Sequence, residues 1–126
     1  MFCFQELTQE LTVTDSDVKY KDSWYYGEWD SKKQCPAGYG IEVKSLQKGL
    51  QCISEGIRID AKLSGYARII EQSEGKLVIH DGEFLKGKEN GYGIEAWSNG
   101  DIYQGWFKNG SNDGLGLWKI NGKLAY

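Results

Sequence analysis

The sequence predicts an all-β protein, an elongated single-layer antiparallel β-meander made of consecutive β-hairpins. Composition is the first observation behind this prediction. The 126-residue chain contains 17 glycines but one proline, with five Trp, eight Tyr and four Phe. Glycine at this density, without collagen periodicity, indicates many tight turns between short strands. The second observation is an internal repeat.

The repeat is clearest in the C-terminal half. Residues 81–84 (DGEF) align with residues 104–107 (QGWF) at an offset of 23 residues, and the glycines that follow align at the same offset. The run GYGIE at residues 91–95 also occurs at residues 38–42. We count about four units, the last two regular and the first two with insertions. One insertion, DSKKQCPA at residues 30–37, is expected to lengthen the turn after Trp29.

Each unit is predicted to contain two short strands. The run at residues 101–107 lies between two Asn-Gly pairs, and Asn-Gly between β-forming runs predicts a hairpin. Side chains of a strand alternate between the two faces, and the repeat has an odd number of residues. Equivalent residues of neighbouring units can share a face only if one connection of the unit has an even number of residues and the other an odd number, or if a bulge absorbs one residue. We expect one connection around Asn-Gly with a left-handed glycine, and a longer one around residues 108–113.

The chain divides into a lead-in segment, residues 1–22, and a repeat domain, residues 23–126. Phe4, Leu7 and Leu11 have helical spacing, which favours a short N-terminal helix over the first strand. An extended lead-in strand is the alternative. Helical periodicity is absent from residue 23 onward.

The repeated glycines predict a packing arrangement. Tyr103, Gly105 and Phe107 share one face of their strand. If Gly91 and Gly93 share that face, rings lie flat over bare backbone and form an aromatic stripe along the sheet. The stripe is predicted to bind a partner through Tyr25, Trp29, Phe84, Trp97, Tyr103, Phe107 and Trp118.

The alternative is that these rings only hold the repeats together. Full coverage of Tyr103 and Phe107 within the chain would remove the C-terminal half of the predicted groove. Open terminal strands offer a second route, because a partner strand can add to a sheet edge.

The motif Tyr-x-Gly-x-Trp/Phe followed by Gly-x-Gly, at a period of about 23, resembles the MORN (membrane occupation and recognition nexus) repeat family. The matching residues are Tyr25-Gly27-Trp29 with Gly38-Gly40, Gly82-Phe84 with Gly91-Gly93, and Tyr103-Gly105-Phe107 with Gly114-Gly116. The second unit departs from the motif, with Ser54 in place of Tyr, Arg58 in place of Trp or Phe, and Ala67 in place of the second Gly. His80 stands where the motif has Tyr.

The resemblance implies a β-sheet rod that acts as a scaffold. Such a rod holds a protein partner in an aromatic groove, associates with itself, or positions a neighbouring domain. It also implies a cytoplasmic protein of a ciliary, cytoskeletal or membrane-junction assembly.

Charge and cysteine usage narrow the classes of partner. A formal net charge of −3 argues against a duplex nucleic-acid binder. The lysine pairs at residues 32–33 and 86–88 leave anionic lipid as a weaker alternative. Cys3, Cys35 and Cys52 fit neither a disulfide framework nor a paired metal spacing, which favours reduced thiols in the cytosol. Neither a signal peptide nor a long apolar run is present.

Catalysis is not expected, nor is a cofactor or a metal site. The single histidine, His80, occupies a Tyr position of the repeat, which favours a structural role. Residues 91–93 match half of a dinucleotide fingerprint without the helix that should follow. The recurrent Glu28, Glu42, Glu83 and Glu95 are expected on the solvated side. The leading hypothesis is a non-enzymatic interaction module. A phosphoinositide-binding membrane module and a positioning segment of a larger enzyme are the alternatives.

Overall fold

The computed structural model describes residues 11–13, 18–20, 23–45, 49–120 and 123–125. They form one antiparallel sheet of eleven strands. The strands are β1 (Leu11–Val13), β2 (Val18–Tyr20), β3 (Ser23–Asp30), β4 (Cys35–Ser45), β5 (Gln51–Ile59), β6 (Lys62–Ser73), β7 (Lys76–Leu85), β8 (Lys88–Trp97), β9 (Ile102–Lys108), β10 (Ser111–Ile120) and β11 (Lys123–Ala125).

From β3 to β10 each strand pairs with the next one in sequence. At the ends of this path, β1 and β2 both pair with β3, and β11 pairs with β10. The predicted single-layer antiparallel meander is therefore confirmed, and no α-helix occurs in the described part of the chain. Leu11 lies in β1, whereas Phe4 and Leu7, the other residues behind the predicted N-terminal helix, lie outside the described residues.

Two-residue turns close three of the four repeat hairpins. Asp60-Ala61, Lys86-Gly87 and Asn109-Gly110 each have positive φ at both residues, the geometry of type I′ turns. The first hairpin has a four-residue turn at residues 31–34, which confirms that the insertion lengthens it. The longer connection expected around residues 108–113 is wrong, because Lys108 pairs directly with Ser111.

Each of the four repeat hairpins contains a bulge that adds two residues to its second strand. The odd period of the last unit is accommodated by connections of different parity, because two residues separate the paired Lys108 and Ser111 and five separate the paired Ala96 and Ile102. In the last unit Gly105 pairs with Gly116 and Phe107 with Asn112, so three residues of β10 face one residue of β9. The same three-to-one mismatch occurs in the pairing of β3 with β4, β5 with β6 and β7 with β8. Each bulge contains a glycine with φ between +73° and +115°, a range that L side chains rarely adopt: Gly38, Gly65, Gly91 and Gly114.

A row of seven glycines and one alanine crosses the sheet from β3 to β10, one residue per strand. Successive members are cross-strand partners: Gly27, Gly40, Gly56, Ala67, Gly82, Gly93, Gly105 and Gly116. We call this set the glycine row. The side of the sheet toward which these positions point is the inner face, and the opposite side is the outer face.

Tyrosine rings of the inner face lie directly on the glycine row. A Cβ at Gly40 would overlap the hydroxyl of Tyr25, and a Cβ at Gly116 would overlap that of Tyr103. Both hydroxyls donate to a carbonyl three residues ahead, Tyr25 to Glu28 at 2.7 Å and Tyr103 to Trp106 at 3.1 Å. The missing side chains of the glycine row therefore leave the space that these rings fill.

Adjacent units are also tied by a repeated backbone hydrogen bond outside the strands. The second residue of each type I′ turn donates its N–H to a carbonyl of the preceding unit. Ala61 donates to Pro36 at 3.0 Å, Gly87 to Leu63 at 2.9 Å and Gly110 to Glu89 at 2.9 Å. The turn backbone is therefore fixed by its neighbour as well as by its own hairpin.

A side chain in the glycine row is expected to destabilise the fold. In Gly82→Ala the new Cβ would stand 2.5 Å from the Gly93 Cα and 2.6 Å from the Tyr92 carbonyl oxygen, so backbone must move. We expect a loss of about 1–3 kcal/mol in urea unfolding. Gly75→Asn is the control, because Gly75 has no atom within 4 Å and asparagine tolerates its φ of +65°. Equal losses for the two variants would contradict the role of the row.

The turn at residues 60–61 carries strain that a glycine relieves. Ala61 has a φ of +69° at the position that Gly87 and Gly110 occupy in later turns. Ala61→Gly is expected to raise the free energy of unfolding by about 1 kcal/mol. Ala96→Gly, within β8, should lower it instead. A destabilised Ala61→Gly protein would show that the turn is not strained.

Candidate functional site

The inner face covers most of the predicted aromatic stripe within the chain itself. Tyr25, Phe84, Tyr103 and Phe107 have exposed fractions of 0%, 3%, 2% and 5%. The three tryptophans of the stripe, Trp29, Trp97 and Trp118, are half-buried. Partner binding by these seven residues stays a prediction, and burial restricts it to the tryptophans. The covered Tyr103 and Phe107 rings offer no open groove.

The stripe is not continuous, because its rings form separate clusters. Tyr103 contacts Trp118 and Phe107 with ring centroids 4.8 Å and 5.2 Å apart, and Trp97 stacks on Trp118 at 5.8 Å. At the other end Tyr25 and Trp29 form a pair at 6.2 Å. Phe84 instead packs against Leu63 and Ala67.

Arg58 fills the gap that the second unit leaves in the stripe. Its side chain is 2% exposed and its guanidinium lies 5.4 Å from the centre of the Tyr25 ring. The guanidinium donates to the Ser54 hydroxyl at 2.5 Å and to the Gly40 carbonyl at 3.2 Å, and it lies 3.6 Å from the Glu42 carboxylate. Burial lowers the pKa of Arg58, and the Glu42 charge opposes that shift. Arg58 and Ser54 therefore act as a pair, which replaces the aromatic residue and the tyrosine of the repeat motif.

A second polar group on the inner face surrounds His80 at a tyrosine position. Its Nδ1 lies 2.7 Å from a Glu89 carboxylate oxygen and 3.3 Å from one of Glu95, and its Nε2 lies 3.9 Å from Glu71. Burial disfavours the charged imidazole, but the hydrogen bonds and charges of Glu89 and Glu95 outweigh it and raise the pKa of His80 to about 10. These carboxylates come from β6 and β8, on either side of β7.

The recurrent glutamates have two different positions. Glu28 and Glu83 lie toward the outer face and accept the N–H of the residue after the bulge glycine, Tyr39 at 3.0 Å and Tyr92 at 2.8 Å. Glu42 and Glu95 are half-buried on the inner face, so their expected solvated position is wrong. The glutamates of the first pair stabilise the bulge, whereas Glu42 and Glu95 neutralise Arg58 and His80.

The outer face exposes the rings that sequence reasoning left out. Tyr39, Tyr66, Tyr92 and Trp106 are 49%, 72%, 43% and 51% exposed, and Leu115 is 86% exposed. The first three lie between two positions of the Gly-x-Gly motif, so alternation turns them away from the inner face. The signal is the ring between two glycine positions in Gly-x-Gly, and the sequence carries it.

Two depressions lie over equivalent parts of the first and last units, the smaller on the outer face and the larger lined by residues of both faces. One, of about 260 Å³, is lined by Tyr26, Tyr39 and Ile41 beside Gly27 and Gly40. The other, of about 610 Å³, is lined by a set of residues from β8 to β10: Tyr92, Tyr103, Gln104, Gly105, Asn112, Gly114, Leu115, Gly116, Leu117 and Trp118. Both lie beside a glycine pair, where the backbone carries no side chain.

Comparison with known proteins finds similarity over a short segment of the chain. No protein-family model matches the chain. Alsin from Rattus norvegicus, Mus musculus and Homo sapiens is 43% identical to it over 48 residues. This segment is 38% of the chain, and it spans 3% of the length of these relatives. No helix long and apolar enough to cross a membrane was found in the described part of the chain.

Loss of the Arg58 charge is expected to destabilise the protein strongly. Arg58→Ala leaves a void on Tyr25 and removes the cation beside Glu42, at a cost of about 3–5 kcal/mol. The triple variant Ser54→Tyr/Arg58→Phe/Ala67→Gly restores the residues of the last unit, including the bare backbone that a tyrosine ring needs, and should recover most of that loss. Urea unfolding of the single and combined variants measures the coupling. Losses that simply add would contradict the replacement of these residues as a set.

Tyr25 is expected to resist ionisation in the folded protein. Burial raises its pKa from 10.0 to about 12, although the Arg58 charge favours the phenolate. The pKa of Tyr25 is higher in the folded state than in the unfolded state. The stability that the buried neutral hydroxyl contributes is therefore fully present below pH 10 and is lost as the pH rises through 12. Absorbance titration of wild type and Tyr25→Phe isolates the group. A difference curve centred near pH 10 would contradict burial of the ring.

Proposed function

We propose that the chain is a MORN-type repeat module that works as a non-catalytic scaffold for protein–protein interaction. The repeated motif supports this class, as does the similarity to Alsin, which contains MORN repeats. We propose a cytoplasmic setting on the cysteine usage, and a ciliary or cytoskeletal assembly on the resemblance alone.

One observation carries the proposal, and it is the difference between the two faces. The inner face uses its rings to fill the space above the glycine row, whereas the outer face leaves large apolar residues exposed. Exposed apolar patches of this kind mark interaction sites, and Tyr and Trp supply rigid anchors at interfaces. We therefore place the contact surface on the outer face.

The outer-face anchors are arranged as pairs across strands. Tyr92 and Trp106 are cross-strand partners with rings 5.6 Å apart in an edge-to-face contact. The Tyr92 hydroxyl accepts a hydrogen bond from Gln104 at 2.5 Å, which fixes the ring while its surface stays exposed. A ring held in one rotamer loses less entropy when a partner covers it.

Two other functions remain candidates with less support. The similar segment lies within the much longer Alsin, which favours a module that positions other parts of a longer protein. Attachment to anionic lipid depends on lysines such as Lys33, which already faces Asp60 at 2.7 Å. Neither explains why apolar rings are exposed on one face.

The outer-face proposal predicts that Tyr92→Ser/Trp106→Ser keeps the fold and loses partner capture. Circular dichroism should match wild type, because both rings are exposed. Capture from an extract of the source cell should fall by more than about 10-fold, as expected for interface anchors. Lys88→Ser/Lys108→Ser, also exposed, is the control that should retain capture.

Three results would contradict the proposal. They are capture of the same proteins by wild type and the outer-face variant, loss of capture in the lysine control, and binding to phosphoinositide vesicles that both variants retain. Sedimentation velocity on the same proteins distinguishes a second copy of the chain from a different partner.

A further inference from the structure

We propose that His80, Glu89 and Glu95 form a binding site for one divalent transition-metal ion, of the class of Zn²⁺, on the inner face. The imidazole nitrogen and one carboxylate oxygen from each glutamate lie within 4.8 Å of one another. These three side chains come from the neighbouring strands β7 and β8. The site is independent of the outer-face contact surface.

The spacing of the ligand atoms fits a small cation. Nitrogen and oxygen ligands at about 2.0–2.1 Å from Zn²⁺ in a tetrahedral site lie about 3.3 Å apart. His80 Nδ1 lies 2.7 Å from Glu89 and 3.3 Å from Glu95. An ion between these atoms therefore requires small side-chain movements and no change of strand register.

The second imidazole nitrogen faces a further carboxylate. Glu71 Oε1, on β6, lies 3.9 Å from His80 Nε2. Metal-bound histidines commonly donate their other N–H to a carboxylate, which fixes the tautomer and makes the ring a better ligand. In this role Glu71 is a positioning residue, and a fourth metal ligand would be a water molecule.

The charge of the cluster also favours a divalent cation. Three carboxylates, those of Glu71, Glu89 and Glu95, face the His80 imidazole, and a divalent ion held by the neutral ring would offset two of their negative charges. A proton on the ligand nitrogen leaves to solvent as the metal–ligand bonds form.

The substitution pattern of the repeat places His80 beside these carboxylates. The equivalent residues Tyr25 and Tyr103 donate from a hydroxyl to a backbone carbonyl instead. Glu95 recurs with the repeat, because Glu42 pairs across the strands with Tyr25 as Glu95 does with His80. Glu89 does not recur, and Asn112 occupies its position in the last unit. A nitrogen ligand and a carboxylate are therefore substituted together in the third unit.

The test is zinc titration by isothermal calorimetry of the whole chain, after dialysis against a chelator. We expect one Zn²⁺ per chain, with affinity reduced at least 10-fold in His80→Gln and Glu95→Gln and about 10-fold in Glu71→Gln. His80→Tyr, which restores the residue of the first and last units, should fold and lose binding. Zn²⁺ should raise the thermal midpoint of wild type but not of the His80 variants.

Two controls separate this site from other zinc ligands. Cys52→Ser tests the half-buried thiol whose partner on β6 is Glu71, and Asp60→Asn removes an exposed carboxylate elsewhere. Both should bind like wild type. Absence of zinc binding to wild type would mean that the cluster is an ion pair only. Binding that survives His80→Gln, or that Cys52→Ser abolishes, would also overturn the proposal.

Discussion

The contact of tyrosine rings with bare backbone is the constraint on which the rest of this structure depends. A single-layer sheet has no second layer to cover its side chains, so it must build a core from its own face. The glycine row supplies the space, and rings such as Tyr25 and Tyr103 fill it. The bulge in each repeat hairpin serves the same packing, because it adds two residues to the second strand. The second position of each Gly-x-Gly, rather than the first, therefore lies beside the glycine of the preceding strand.

This arrangement divides the two faces by task. The inner face uses its aromatic residues in packing. Where the repeat departs from its motif, polar groups stand there instead, the buried pair Arg58 and Ser54 and the half-buried His80 with its carboxylates. The rings of the outer face are not needed for this packing, and Tyr66 and Trp106 are exposed there. The proposed contact surface therefore lies on the side of the layer opposite to the packing that stabilises it, which would allow either side to change with little effect on the other.

Much of the fold was predictable, because turns and alternation are local properties. Asn109-Gly110 and the repeat gave the hairpin order, and the odd period required either unequal connections or a bulge. The longer connection around residues 108–113 was misplaced because Ser111 and Asn112 already pair with β9 and belong to β10 rather than to the turn. Burial of the stripe was harder to predict, since it depends on how closely a ring approaches a glycine of the neighbouring strand. The polar cluster at His80 depends on cross-strand register, which single motifs do not contain.

The most direct test of this account is hydroxyl-radical footprinting of the folded chain, read residue by residue by mass spectrometry. The account predicts that Tyr25, Phe84, Tyr103 and Phe107 are protected, and that the exposed rings Tyr39, Tyr66, Tyr92 and Trp106 react at rates close to those of the unfolded chain. Reaction of the first set as fast as the second would show that the inner rings are open to solvent. The division of the two faces would then be wrong, and the aromatic stripe would again be a candidate groove.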